Sequence, residues 1–265
     1  MVETAEKAGH DAIRDIGGYW EVAGHPAELW LPDLESRLGQ IEALKKVAGD
    51  NYFIIGTIST LMGIPDGDHI YEFVADLYEN PDKIKFLNET YTNEGIETQY
   101  RMLDAGADGI LNAVDVAFNN GPFISPAHMD EVFFPYFNKW VESLKSQGIM
   151  SIWHTDGNLI PIMDRIIESG VTAIQCVDPL GGMDIVEVKK MVGDKLTLIG
   201  NIDCSLLQLG PKEKIEEEVK RVVESCKGDG GFVLSCCNAV FKAISAENYS
   251  AMTEARRKYG KEKVS

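Results

Sequence analysis

The sequence predicts an α/β protein of the (β/α)8 TIM-type barrel class, incomplete within this chain, with six recognisable β/α units. Three observations lead there. From residue 51 onward, short runs rich in β-branched and apolar residues alternate with longer amphipathic stretches, which is the rhythm of a parallel sheet. Each run is apolar on both faces and turns polar only at its end, as expected of strands covered on both sides. At 265 residues, the chain is also about as long as one such barrel, roughly 250 residues.

The six runs are 52–59 (YFIIGTIS), 109–115 (GILNAVD), 149–153 (IMSIW), 172–177 (TAIQCV), 196–202 (LTLIGNI) and 231–235 (GFVLS). Helical patterns fall between them at 81–105, 128–147, 159–169, 184–191 and 212–226. Pro81, Pro126 and Pro211 stand near helix starts, and Gly148, Gly170 and Gly193 stand where helices end, in keeping with the preferences of both residues. Residues 27–47 also look helical, with Leu34, Leu38, Ile41 and Leu44 at helical spacing. The chain therefore divides into a helical or irregular N-terminal segment, 1–50, and a catalytic barrel domain, 51–265. Six units leave a closed barrel short, and an open one exposes two strand edges. A second copy, forming a homodimer, or a neighbouring segment is the expected cover.

Composition narrows the function. The formal net charge of −17 excludes a nucleic-acid surface, which needs a basic stripe, and it disfavours a highly anionic substrate. There is neither a signal-peptide pattern nor an apolar run of about 18 residues, so a cytoplasmic protein without membrane contact is expected. Five cysteines, an odd number, argue against a disulfide framework. Cys176 and Cys226 suit small buried positions.

The barrel is preferred over an open sheet because of the residues at the strand ends. Ser59, Asp115, His154, Asp156, Asp178, Asn201, Asp203, Cys236, Cys237 and Asn238 all fall just after a run, and a barrel gathers those ends into one mouth. No G-x-G-x-x-G or Walker loop comes after a strand, which weakens nucleotide-binding alternatives. His154 and Asp156, two apart, can share a face. Such a pair can bind a divalent metal, fix a tautomer or transfer a proton; equally, the histidine can be structural and the aspartate a helix cap. Asn201 and Asp203 share a face in the same way, to bind substrate or to form a turn. Adjacent Cys236 and Cys237 cannot both point inward, and one thiolate with His154 and a carboxylate would suit zinc with an open position.

These motifs, His154-Thr155-Asp156-Gly157-Asn158, Gly200-Asn201-Ile202-Asp203 and Ser245-Ala246-Glu247-Asn248-Tyr249, together resemble the C-terminal half of the uroporphyrinogen decarboxylase superfamily. So do Leu77-Tyr78-Glu79-Asn80-Pro81, Ala105-Gly106-Ala107-Asp108-Gly109 and Gly121-Pro122-Phe123-Ile124-Ser125-Pro126. The likeness runs from about residue 50 to the end and implies a (β/α)8 barrel whose first strands this chain lacks. It implies two chemistries. Cofactor-free decarboxylases of this superfamily use arginines and an aspartate, which have no match here, and a tyrosine and a histidine, matched by Tyr78 and Asn238. Corrinoid-dependent methyltransferases hold zinc through a His-x-Cys pair and a later Cys; here the pair is His154-x-Asp156, with Cys237 beside the later position at Asn238.

The resemblance thus implies a methyltransferase component that moves a methyl group between a small methylated substrate and a corrinoid carried by a partner protein. His154, Asp156 and Tyr78 would be catalytic, Asp115, Asn201, Asp203 and Asn238 would bind substrate, and zinc would sit on His154, Asp156 and Cys237. A cofactor-free decarboxylase and a non-catalytic binding relic of the barrel are the alternatives.

Overall fold

The computed structural model describes residues 1–15, 18–20, 28–30, 32–65, 67, 69–228 and 230–260. Its centre is a seven-stranded sheet. The strands are β1 (Ala12–Arg14), β2 (Phe53–Ile58), β3 (Gly109–Ala113), β4 (Met150–Thr155), β5 (Ala173–Cys176), β6 (Thr197–Ile202) and β7 (Phe232–Cys236). Each pairs in parallel with the next in sequence. Residues from all seven wall a single cavity, so the sheet is curled into an incomplete barrel with β1 and β7 as its two edges. All six predicted strands are present.

The N-terminal segment departs from expectation. Residues 1–50 are not separate from the barrel, because Ala12, Ile13 and Arg14 pair with Phe53, Ile54 and Ile55 of β2. A three-residue edge strand flanked by Asp11 and Asp15 carries no hydrophobic run, and only the tertiary pairing defines it. The helix expected over 27–47 is shorter at its start. Glu28–Trp30 is instead extended and antiparallel to Gly18–Trp20, and Ala27 lies outside the described residues. Among the described residues of this segment, two helices occur, α1 (Val2–Ala8) and α2 (Leu34–Ala48). Asp33 caps α2, accepting from Ser36 N at 3.0 Å.

The remaining helices are α3 (Ile70–Glu79), α4 (Pro81–Asp104), α5 (Pro126–Val132), α6 (Phe134–Lys145), α7 (Met163–Ser169), α8 (Ile185–Val192), α9 (Cys204–Leu209), α10 (Lys212–Cys226) and α11 (Ala246–Tyr259). The single helix expected over 128–147 is broken into α5 and α6 at Phe133. Pro135 comes two residues later, and its missing N–H removes a helical bond.

The core between sheet and helices sets where the site points. Phe133, Phe137, Trp140 and Trp153 are fully or nearly fully buried, with the Phe137 and Trp153 rings 4.8 Å apart. Their polar edges are satisfied: Trp153 Nε1 donates to Val114 O (3.1 Å) and Trp140 Nε1 to Gln99 Oε1 (3.0 Å). With Trp153 locked on the helix side, alternation along β4 turns Ile152 and His154 to the inside. The last helix, α11, spans the open side. Tyr249 OH meets His10 Nε2 at 2.7 Å, Arg256 Nη2 donates to Gly9 O at 2.6 Å, and Arg256 Nη1 is 3.1 Å from Asp11 Oδ2. Among the described residues, no helix is long and apolar enough to cross a membrane.

Candidate active site at the strand ends

His154 lies near the end of β4, opposite Ala113 of β3 and Gln175 of β5. That register decides its surroundings. Gln175 Oε1 is hydrogen-bonded to His154 Nδ1. With this carbonyl as acceptor, Nδ1 carries the proton and Nε2 turns its lone pair outward. Nε2 is 3.9 Å from Asp115 Oδ1, two residues beyond Ala113. The same carboxylate oxygen accepts from Asp156 N at 3.1 Å, and Asn238 Nδ2 donates to Asp156 Oδ2 at 2.6 Å.

Asp115, His154 and Asp156 each offer one ligand atom within 4.8 Å of the other two, the one such group among the described residues. Asp156 Oδ1 is buried with no hydrogen-bond partner. Burial pushes the Asp156 carboxyl above the usual carboxylate range, and Asp115 and Asp178 push it further. The Cys176 thiol and His154 pull the other way. The donor set of Asp115, His154 and Asp156, one nitrogen and two oxygens within 4.8 Å of one another, fits a divalent cation such as zinc or manganese. Asp115, His154 and Asp156 would hold that ion.

A second layer fixes these groups. Gly157 adopts φ +86°, and a Cβ there would lie 2.6 Å from Ala117 O, so only glycine lets the chain turn away after Asp156. Gly157 N donates to Asp178 Oδ2 (3.2 Å), and Asp178 Oδ1 accepts from Leu180 N (2.9 Å). Cys237 is buried behind this layer. Its Sγ is 2.8 Å from Cys176 Sγ and 3.5 Å from Asp178 Oδ1, and both cysteines are free thiols. The neighbouring thiol, burial and Asp156 together push Cys176 far up, so it stays protonated. The adjacent Cys236 faces the other way: its Sγ contacts Asn238 O at 3.2 Å, and its interaction with Cys204 holds it below the ordinary thiol value.

Several sequence expectations change accordingly. Cys237 does not join the metal-ligating group, because its thiol is turned back onto Cys176; Asp115 takes that place. Asn201 is buried and spends its amide on the loop after β5, donating to Val177 O (2.9 Å) and Met183 O (3.1 Å). Asp203 caps α9, accepting from Ser205 N (2.6 Å), so the turn-forming reading of this pair describes its contacts. Tyr78 stands apart on the last turn of α3. It is 70% exposed with its ring edge-on to His128, and among the described residues it makes no hydrogen bond to the strand-end group. Asn238 and Asp115 are brought to His154 and Asp156. Gln175, Cys176 and Asp178 were not foreseen in their roles. The signal for Gln175 was present, since it is the lone amide in the apolar run TAIQCV.

A parallel, sequentially ordered β/α sheet with titratable groups collected at its carboxyl ends is the architecture shared by barrel-type enzymes. The family model for uroporphyrinogen decarboxylase (URO-D) matches residues 38–259, and the chain belongs to that family of enzymes. A uroporphyrinogen decarboxylase from Hydrogenovibrio crunogenus is 25% identical over 262 residues, covering 88% of this chain and 69% of the relative. One from Pseudoalteromonas atlantica is 26% identical over 190 residues, covering 69% of this chain and 50% of the relative. The chain thus spans between half and about two thirds of the length of these relatives. Among solved structures, a methyltransferase from Methanosarcina mazei superposes with a TM-score of 0.74 at 20% identity, covering 97% of this chain and 83% of that one. That likeness is one of fold.

Proposed function

We propose that this chain is the catalytic barrel of a methyltransferase component, exchanging a methyl group between a small methylated substrate and a corrinoid carried by a partner protein. The observation that carries the reading is the Asp115–His154–Asp156 group at the strand ends. A divalent ion bound there would act as a Lewis acid on the heteroatom that bears or receives the methyl group. The chain's own residues prepare that place. Gln175 fixes the imidazole so that Nε2 is free, Asn238 holds one oxygen of Asp156, and Asp115 ties down the Asp156 backbone. The fold likeness to a methyltransferase supports the reading.

The family match itself favours a second reading, a cofactor-free decarboxylase, because the curated relatives bear that name. In that case the raised carboxyl of Asp156 would hold a proton to deliver to carbon. Metal analysis, followed by mixing with cob(I)alamin and candidate methyl donors, separates the two. Stoichiometric zinc that is lost in His154→Ala, with a zinc-dependent change in the cobalamin spectrum, is expected. A metal-free protein that releases carbon dioxide from a porphyrinogen would overturn the methyltransferase reading. Turnover of either kind that depends on His154 would exclude a non-catalytic relic.

A further inference from the structure

Two buried thiols stand directly behind the candidate site, and the chemistry above does not use them. Cys176 ends β5 and Cys237 follows β7, with β6 between the two strands in the sheet. Their side chains meet across that strand: the Sγ atoms are 2.8 Å apart, although the residues are 61 positions apart in sequence. An S–S bond is about 2.05 Å long, so the sulfurs need approach by only about 0.8 Å to be joined. Both cysteines are free thiols.

The backbone takes an uncommon shape at this contact. Cys176 has φ 102° and Val177 φ 49°, a region that residues with a Cβ, and β-branched ones above all, rarely adopt. Residues held in such regions cluster at functional sites. Asn201 Nδ2 donates to Val177 O at 2.9 Å and Cys237 N to Ile202 O at 2.8 Å, so both cysteines are fixed against β6. The pair is also joined to the site. Register sets Cys176 opposite Thr155, one residue before Asp156, and its thiol interacts with the Asp156 carboxyl. Cys237 Sγ is 3.5 Å from Asp178 Oδ1, and Asp178 Oδ2 accepts from Gly157 N at 3.2 Å. The turn that carries Asp156 therefore leans on both thiols.

We propose that Cys176 and Cys237 are a peroxide-responsive dithiol, whose oxidation to a disulfide ties the ends of β5 and β7 together and displaces Asp156. The two thiols take different parts. Cys176 is wholly buried, and the Cys237 thiol, burial and Asp156 keep it protonated; Cys237 retains 7% exposure. Cys237 sulfur attacks the peroxide, the O–O bond breaks, and water leaves with the thiol proton, giving a sulfenic acid. Cys176 sulfur then displaces the hydroxyl, which departs as a second water with the Cys176 proton. Two thiols lose two electrons and hydrogen peroxide gains them. The effect on cation binding rests on the metal reading above; formation of the bond does not.

The test treats the whole chain with hydrogen peroxide and maps its peptides without reductant. A Cys176–Cys237 linkage, reversed by dithiothreitol, is expected, with a melting temperature raised by roughly 5–10 °C through closure of a long loop. In Cys176→Ala, Cys237 should stop at the sulfenic acid and be labelled by dimedone; in Cys237→Ala, Cys176 should stay unmodified. Should either variant fail to fold, the peptide map of the unaltered chain decides by itself. Zinc affinity should fall about tenfold on oxidation, as for other losses of support behind a ligand, and return with dithiothreitol. Linkage of Cys204 to Cys236 alone, or oxidation of Cys237 past the sulfenic acid without linkage, overturns the proposal, as does an unchanged zinc affinity in the linked protein. A chain that binds no zinc in either state but forms the reversible linkage overturns the metal reading and supports the dithiol.

Discussion

Replacing Gln175 by Leu removes the acceptor that fixes the His154 ring and leaves the three candidate metal ligands untouched. Leu suits a half-buried position in an apolar strand, so the fold should survive. Two effects combine. One partly buried hydrogen bond is lost, worth about 0.5–1.5 kcal/mol, and the proton becomes free to move to Nε2, the nitrogen that faces Asp115. Losses of such outer-shell partners weaken metal sites by about 10–100-fold, and the single bond here places the expectation near the lower figure, about tenfold, or about 1.4 kcal/mol. Zinc affinity measured by competition with a chromophoric chelator reads this directly, with circular dichroism as the control for folding. Gln175→Glu, which keeps an acceptor, should retain or strengthen binding. A folded Gln175→Leu protein that binds zinc as tightly as the unaltered chain would refute the assignment of Nε2 as the ligand atom.

Three further perturbations probe the same geometry. Asp156 has its carboxyl pushed up by burial, so its contribution favours folding at low pH and is lost as pH rises through the raised value. Asp156→Asn should therefore melt higher than the unaltered protein at pH 8, by about 2–4 °C per kcal/mol relieved, with the gain vanishing toward pH 4 and zinc binding abolished; a lower melting point at pH 8 counts against the burial argument. Arg37 Nε donates to Asp15 Oδ2 at 2.9 Å, and the Asp15 side chain is wholly buried. Arg37→Met should cost about 3–5 kcal/mol in urea unfolding, mostly recovered in the double variant with Asp15→Leu, whereas a loss under about 1 kcal/mol would show the pair to be unimportant. Gly157→Ala forces a Cβ to 2.6 Å from Ala117 O at φ +86°; it should cost about 1–3 kcal/mol and weaken zinc binding by displacing Asp156, and an unchanged zinc affinity would separate that turn from the site.

The mouth of the barrel was more legible than its edges. His154 and Asp156 announced themselves as polar residues at the end of a strand buried on both faces, and the six long strands were visible for the same reason. The short strand Ala12–Arg14 was not, since three residues between two aspartates have no period to detect, and their pairing with Phe53–Ile55 is a long-range event. Gln175 was visible as a lone amide in an apolar run, but its role depends on the register that sets it opposite His154.

His154-Thr155-Asp156-Gly157 shows the division most clearly. Sequence alone determined the parallel β/α rhythm, the family likeness and the strand end at which His154 and Asp156 stand, because burial on both faces and polar strand ends are local patterns. Which third group stands beside His154 and Asp156 was decided only by the tertiary structure. The curl of the sheet brings Asp115 to the histidine and turns Cys237 onto Cys176, since distances between strand ends depend on register and closure, which no single strand encodes.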